Sequence, residues 1–294
     1  MIVTSLVLAL ATALAAAGPE SVAVAPGEEL TVTAAGEGRP AVLIPGLSGC
    51  AYGFRQLTPL LQDQGYRTVV IEPLGIGLSS RPRDADYTLT AQAARLARVL
   101  DELDLRDALV IAHGVGFSMA LRLALARPDQ VRAIVSVEGG PAESAATPSV
   151  KTGLKFAKLI AKLAGTKFIR DRYESDLRKA SGDDAWIDGR TIREYFRGPN
   201  RDLDGTLNAF IAMAEQAEPE AITPHLPEIT QPVLVLQGSA EHVGALDPEE
   251  ITALRGGLPN VRFQTIPGAG HFIFEEQPQA VAKAIADFDP AQAP

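Results

Sequence analysis

Cysteine is almost absent. Cys50 is the only one in 294 residues, so neither an intrachain disulfide nor a cysteine-rich zinc module can form. Basic residues are outnumbered, 27 Lys and Arg against 36 Asp and Glu, giving a net charge of −9. A nucleic-acid surface carries a basic excess, so that partner class is disfavoured. The four histidines, His113, His225, His242 and His271, share no HExxH or HxH spacing, which argues against a dedicated metal site. No stretch calls for a cofactor, and repeats and low-complexity tracts are missing. What the chain has in quantity is apolar residues, 46% of the total. That excludes a disordered or collagen-like chain and suffices for one large domain burying roughly three-quarters of its unfolded surface.

Residues 2–17, IVTSLVLALATALAAA, are uncharged and end in small residues, with Ala15 and Ala17 fitting an A-x-A cleavage pattern. The usual positive charge ahead of such a segment is missing, since the first basic residue is Arg39. The segment also falls short of the roughly 20 residues of a spanning helix. A cleaved signal peptide is the expectation, with an uncleaved anchor and a misassigned start as alternatives. Either of the first two makes the protein exported: periplasmic, secreted or membrane-anchored.

From about residue 21, strand and helix signals alternate. VAVAPG and LTVTAAGEG read as strands closed by turns. AVLIPG (41–46), TVVIEP (68–73), ALVIAHG (108–114), AIVSVEG (133–139), PVLVLQG (232–238) and VRFQTIPG (261–268) are short apolar runs, as strands buried on both faces are. Helical stretches such as 91–104 and 118–127 separate them. This alternation predicts an α/β fold, a doubly wound and mostly parallel sheet. About ninety residues between 139 and 232 carry no strand signal and show helical patterns near 150–164, 168–180, 189–197 and 205–217. A helical cap over about 140–231 is expected there, because open α/β sheets bind ligands at the carboxyl ends of their strands.

Four motifs in order resemble those of the α/β-hydrolase superfamily: IPGLSG (44–49), EPLGIGLSSRP (72–82), ALVIAHGVG (108–116), and VLVLQGSAEH (233–242) with IPGAGHFIFEEQP (266–278). The resemblance spans roughly residues 27–290. It implies an oxyanion hole from the Leu47 and Val115 amides, and a nucleophile in a G-x-S-x-G turn. Here that string reads Ala112-His113-Gly114-Val115-Gly116, so the nucleophile position is vacated at Gly114. Gly116-Phe117-Ser118-Met119-Ala120 is an alternative match that would make Ser118 the nucleophile, at the cost of a longer strand and a shorter helix. His271 matches the family's catalytic histidine. Glu241, three residues after Gly238, matches its acid, with Glu138 as the other candidate. His113 is expected to pack and support the turn. Ser48 and Cys50, in the loop 46–53, are alternative nucleophiles by proximity alone.

Six of the seven lysines lie between 151 and 179, and Lys151, Lys155, Lys158 and Lys162 form one helical stripe. That stripe is either a solvated cap face or, through 150–164, a weak contact with a membrane surface. Three functions remain open. The first is a non-covalent hydrolase or lyase in which a His271–Glu241 pair is the general base for a small apolar carbonyl or ester compound. The second is a catalytically silent binding or scaffold protein, and the third a serine esterase using Ser118.

Overall fold

The computed structural model describes residues 18–145 and 148–289, without the side chains of 148–152 and 154–164. The segment 1–17 and the lysine stripe on 150–164 therefore lie outside the described residues. Eight strands form one sheet: β1 (Glu20–Ala25), β2 (Glu28–Ala35), β3 (Arg39–Ile44), β4 (Tyr66–Glu72), β5 (Ala108–His113), β6 (Val131–Val137), β7 (Val233–Gly238) and β8 (Val261–Ile266). Their order is β1-β2-β4-β3-β5-β6-β7-β8. Only β1 with β2 and β2 with β4 pair antiparallel; the other five pairings are parallel. Central β5, ALVIAH, is buried along its whole length, as an apolar run covered on both faces must be.

The helices are α1 (Leu57–Asp63), α2 (Leu89–Glu102), α3 (Gly116–Ala126), α4 (Pro148–Ala180), α5 (Gly189–Tyr195), α6 (Arg197–Arg201), α7 (Leu203–Glu215), α8 (Pro248–Gly257), α9 (Ile273–Glu276) and α10 (Pro278–Phe288). Helix α2 begins two residues before its apolar period suggests, because the Thr88 hydroxyl accepts from the Ala91 amide and caps it. Two apolar clusters, one on each face of the sheet, make the core. Helices α4 to α7 fill the interval between β6 and β7 where no strand was expected. The patterns at 150–164 and 168–180 lie in one helical span broken at Gly165, where φ is 78° and ψ 172°. Among the described residues no helix is long and apolar enough to cross a membrane.

The chain leaves β3 for β4 on one side and returns to β5 on the other. The gap between β3 and β5 is thus the topological switch point, where open α/β sheets bind their ligands. The loops after β3, β5, β6, β7 and β8 all emerge at the same edge because these strands run parallel.

Candidate active site

Only Gly114 and Val115 separate β5 from α3. The Gly114 amide donates to the Val137 carbonyl at 3.0 Å, and the Gly114 carbonyl accepts from the Phe117 amide at 3.0 Å. Its φ of +52° lies in the left-handed region, which glycine enters at no steric cost. A β-carbon built on Gly114 would lie 3.6 Å from His271 Nε2 and 3.8 Å from its Cε1, in ordinary contact. Any side chain at 114 would therefore project at the imidazole. Leu47 and Val115 flank the turn, half-buried against the core. Neither of their amides has a protein acceptor among the described residues.

His271 sits in the loop between β8 and α9. Its amide donates to the Ala180 carbonyl at 2.7 Å, tying the loop to the end of α4. Burial pushes the imidazole down to about 4; His242 adds to this, and the Gly244 backbone opposes it. The ring is consequently neutral at neutral pH and able to accept a proton. His113 lies beneath it, ring centroids 4.5 Å apart, with Nε2 3.1 Å from the His271 carbonyl. Burial and His271 hold His113 well below its ordinary value. It supports the loop as a neutral ring, as its place before the turn suggested.

The carboxylate nearest the histidine loop is not the one expected. Glu241 is exposed, and the carboxylate beside His271 is Glu138, at the carboxyl end of β6. The loop after Gly238 turns Glu241 outward and the next residue, His242, inward. Glu138 is 3% exposed and has φ +51°, a strained value for a residue with a side chain. Its Oε1 accepts from the Gly238 amide, and its Oε2 is 3.4 Å from His242 Nε2. Burial raises the Glu138 carboxyl, against the Gly238 amide and His242. Glu138, His242 and His271 each bring one donor atom into a group spanning no more than 4.8 Å, although histidine spacing had argued against such clustering. His242 had no assigned role in the sequence. The available signal was its position directly after the expected acid, where a shift of one residue exchanges inward and outward side chains.

The alternative nucleophiles are occupied or remote. Ser118 lies inside α3, fully buried, and its hydroxyl donates to the Gly140 carbonyl at 3.0 Å. Ser48 is exposed, with its carbonyl accepting from Tyr173 of α4 at 2.5 Å. Cys50 is buried and burial pushes its thiol up, away from the reactive thiolate. Cys50 faces a separate cavity of about 380 Å³, lined also by Tyr52, Arg55, Glu72 and Arg197, which includes neither Gly114 nor His271. Glu72, standing where the related motif has Asp, accepts from the Ala51 and Leu78 amides and so braces the loop after β3.

A mostly parallel sheet with a strand–turn–helix at its switch point and a histidine loop facing that turn defines a hydrolase-type α/β fold. The chain belongs to the alpha/beta hydrolase family, whose model matches residues 41–284. It is 25% identical over 272 residues to 2-(acetamidomethylene)succinate hydrolase of Mesorhizobium japonicum, covering 88% of this chain and 91% of that protein. It is also 25% identical over 256 residues to a putative 2-succinyl-6-hydroxy-2,4-cyclohexadiene-1-carboxylate synthase of Bacillus subtilis, covering 84% and 89%. Among solved structures it resembles Cfl2 of Burkholderia cenocepacia, with a TM-score of 0.77 and 28% identity over 92% of this chain and 95% of that one.

Proposed function

We propose that this protein is a hydrolase- or lyase-type enzyme whose nucleophile position is vacated at Gly114, with His271 as general base for a small apolar carbonyl or ester compound. The observation that carries this reading is the 3.6 Å between a β-carbon at 114 and His271 Nε2. A water molecule in that space would stand where a serine hydroxyl stands in an acyl-enzyme mechanism. His271 Nε2 takes its proton, and the oxygen attacks the substrate carbonyl. The Leu47 and Val115 amides receive the negative charge that develops on the carbonyl oxygen. The proton then passes from His271 to the leaving group, closing the cycle without a covalent intermediate. With an enolisable substrate the same base would instead remove a carbon-bound proton. That relatives carry both hydrolase and synthase names supports keeping the two outcomes within one mechanism. The half-buried apolar side chains of Leu47 and Val115 favour an apolar ligand.

The test is turnover of a panel of short activated esters by three proteins. His271→Ala should lose about 10²–10⁴-fold, the usual worth of a positioned base. Ser118→Ala should match wild type within error. Turnover that survives in His271→Ala would remove the general base, and its complete absence in wild type with any ester or enolisable carbonyl compound would favour a binding role.

A further inference from the structure

Glu138, His242 and His271 come from three separate loops at the carboxyl edge of the sheet, after β6, β7 and β8. In each, one buried polar atom makes no well-formed hydrogen bond: Glu138 Oε2, His242 Nε2 and His271 Nδ1, the last with the Gly244 backbone close by. The Glu138 and His242 side chains are each 1% exposed. The remaining polar atoms are committed elsewhere, Glu138 Oε1 to the Gly238 amide, His242 Nδ1 to the Ala240 carbonyl at 2.8 Å, and His271 Nε2 to the space beside Gly114.

The tautomer of His242 decides what the three residues need. A carbonyl oxygen can only accept, so His242 Nδ1 carries a hydrogen and donates it to Ala240. In the neutral ring Nε2 then presents a bare lone pair. It faces Glu138 Oε2, another acceptor, across 3.4 Å. Two buried lone pairs at that separation repel unless a cation lies between them, and an uncompensated buried carboxylate is costly.

We infer that Glu138, His242 and His271 form a binding site for one divalent transition-metal ion of the zinc type. Two imidazole nitrogens and a carboxylate oxygen are a known donor set for such an ion, with a fourth position left to water. Tetrahedral donors at about 2.1 Å from zinc stand about 3.4 Å apart, the separation the Glu138–His242 pair already has. The third donor lies within 4.8 Å of the others. The hydrogen bond from His242 Nδ1 to a backbone carbonyl is the outer-shell contact that orients metal-ligating histidines. One consequence rests on the general-base reading of His271. Metal on Nδ1 leaves the hydrogen on Nε2, so the ring can no longer accept a proton at Gly114, and metal binding should inhibit turnover.

The test starts from full-length protein freed of metal by a chelator and dialysed. Zinc is titrated in competition with a chromophoric chelator, and cobalt(II) is added separately to read its visible absorption. Wild type should bind one equivalent of zinc and give the intense cobalt bands of a four-coordinate site. His242→Ala and Glu138→Gln, each verified as folded by circular dichroism, should lose both signals. His225→Ala should keep them; His225 is a surface histidine between Glu220 and Glu228 and serves as the control for superficial binding. Binding that is absent in wild type, or equal in His242→Ala and Glu138→Gln, would overturn the site and leave a shared proton as the buried cation. One equivalent bound without inhibition would uphold the site and count against the base role of His271 instead.

Discussion

Serine and glycine differ at residue 114 by one CH2OH group, and the consequences reach several side chains away. In the proposed mechanism His271 Nε2 has no serine hydroxyl to deprotonate and acts on water, so what matters is what surrounds its other nitrogen. Glu138 and His242 bring polar atoms within 4.8 Å of that ring, while Glu241 stands in solvent. Glu138→Gln keeps the shape but removes the charge, and should lower turnover at least about tenfold, since a carboxylate behind a catalytic histidine stabilises the imidazolium it becomes. Glu241→Gln should leave turnover within twofold of wild type. Steady-state kinetics on the two variants separates them, and equal losses would return Glu241 to the site. Which carboxylate lies near His271 was not legible because a carboxylate's reach depends on the path of a loop, which periodicity does not report. The hint was a Glu directly before Gly139-Gly140 at the end of a buried strand, where a charge needs a partner.

Among the elements, the strands were the most legible part. Their apolar runs are continuous because both faces of the sheet are covered, and β5 through α3 settled the register that puts Gly114, and not Ser118, in the turn. Helix ends were less so, since a cap such as Thr88 shifts a start without changing the apolar period. The turn after β4 shows how one side chain can hold two loops. Glu72 binds the Ala51 and Leu78 amides, and Gly77, at φ +55°, lies so close that an added β-carbon would overlap the carboxyl group. Gly77→Ala should therefore cost about 2–3 kcal/mol through overpacking, read as a lower urea midpoint at unchanged slope. An unchanged midpoint would mean that Glu72 can move aside and does not fix the loop.

For the molecule as a whole, topology assembles what the sequence scatters. Residues 47, 114, 138, 242 and 271 share one edge because β3, β5, β6, β7 and β8 run parallel and the chain reverses its winding between β3 and β5. The insertion of α4 to α7 is pinned to that edge by Tyr173 on Ser48 and by the His271 amide on Ala180. Family membership follows from this frame, while the proposed chemistry depends on the absence of a side chain at residue 114. The most direct measurement is intact-protein mass spectrometry after exposure to a fluorophosphonate, which phosphonylates activated serines with loss of fluoride. Wild type should stay unmodified. Gly114→Ser, at a stability cost of about 1–2 kcal/mol for a side chain at positive φ, should gain one adduct at residue 114 and a burst of ester hydrolysis. A wild-type adduct at Ser118, or a folded Gly114→Ser that remains unlabelled, would contradict the assignment of Gly114 as the vacated nucleophile position facing His271.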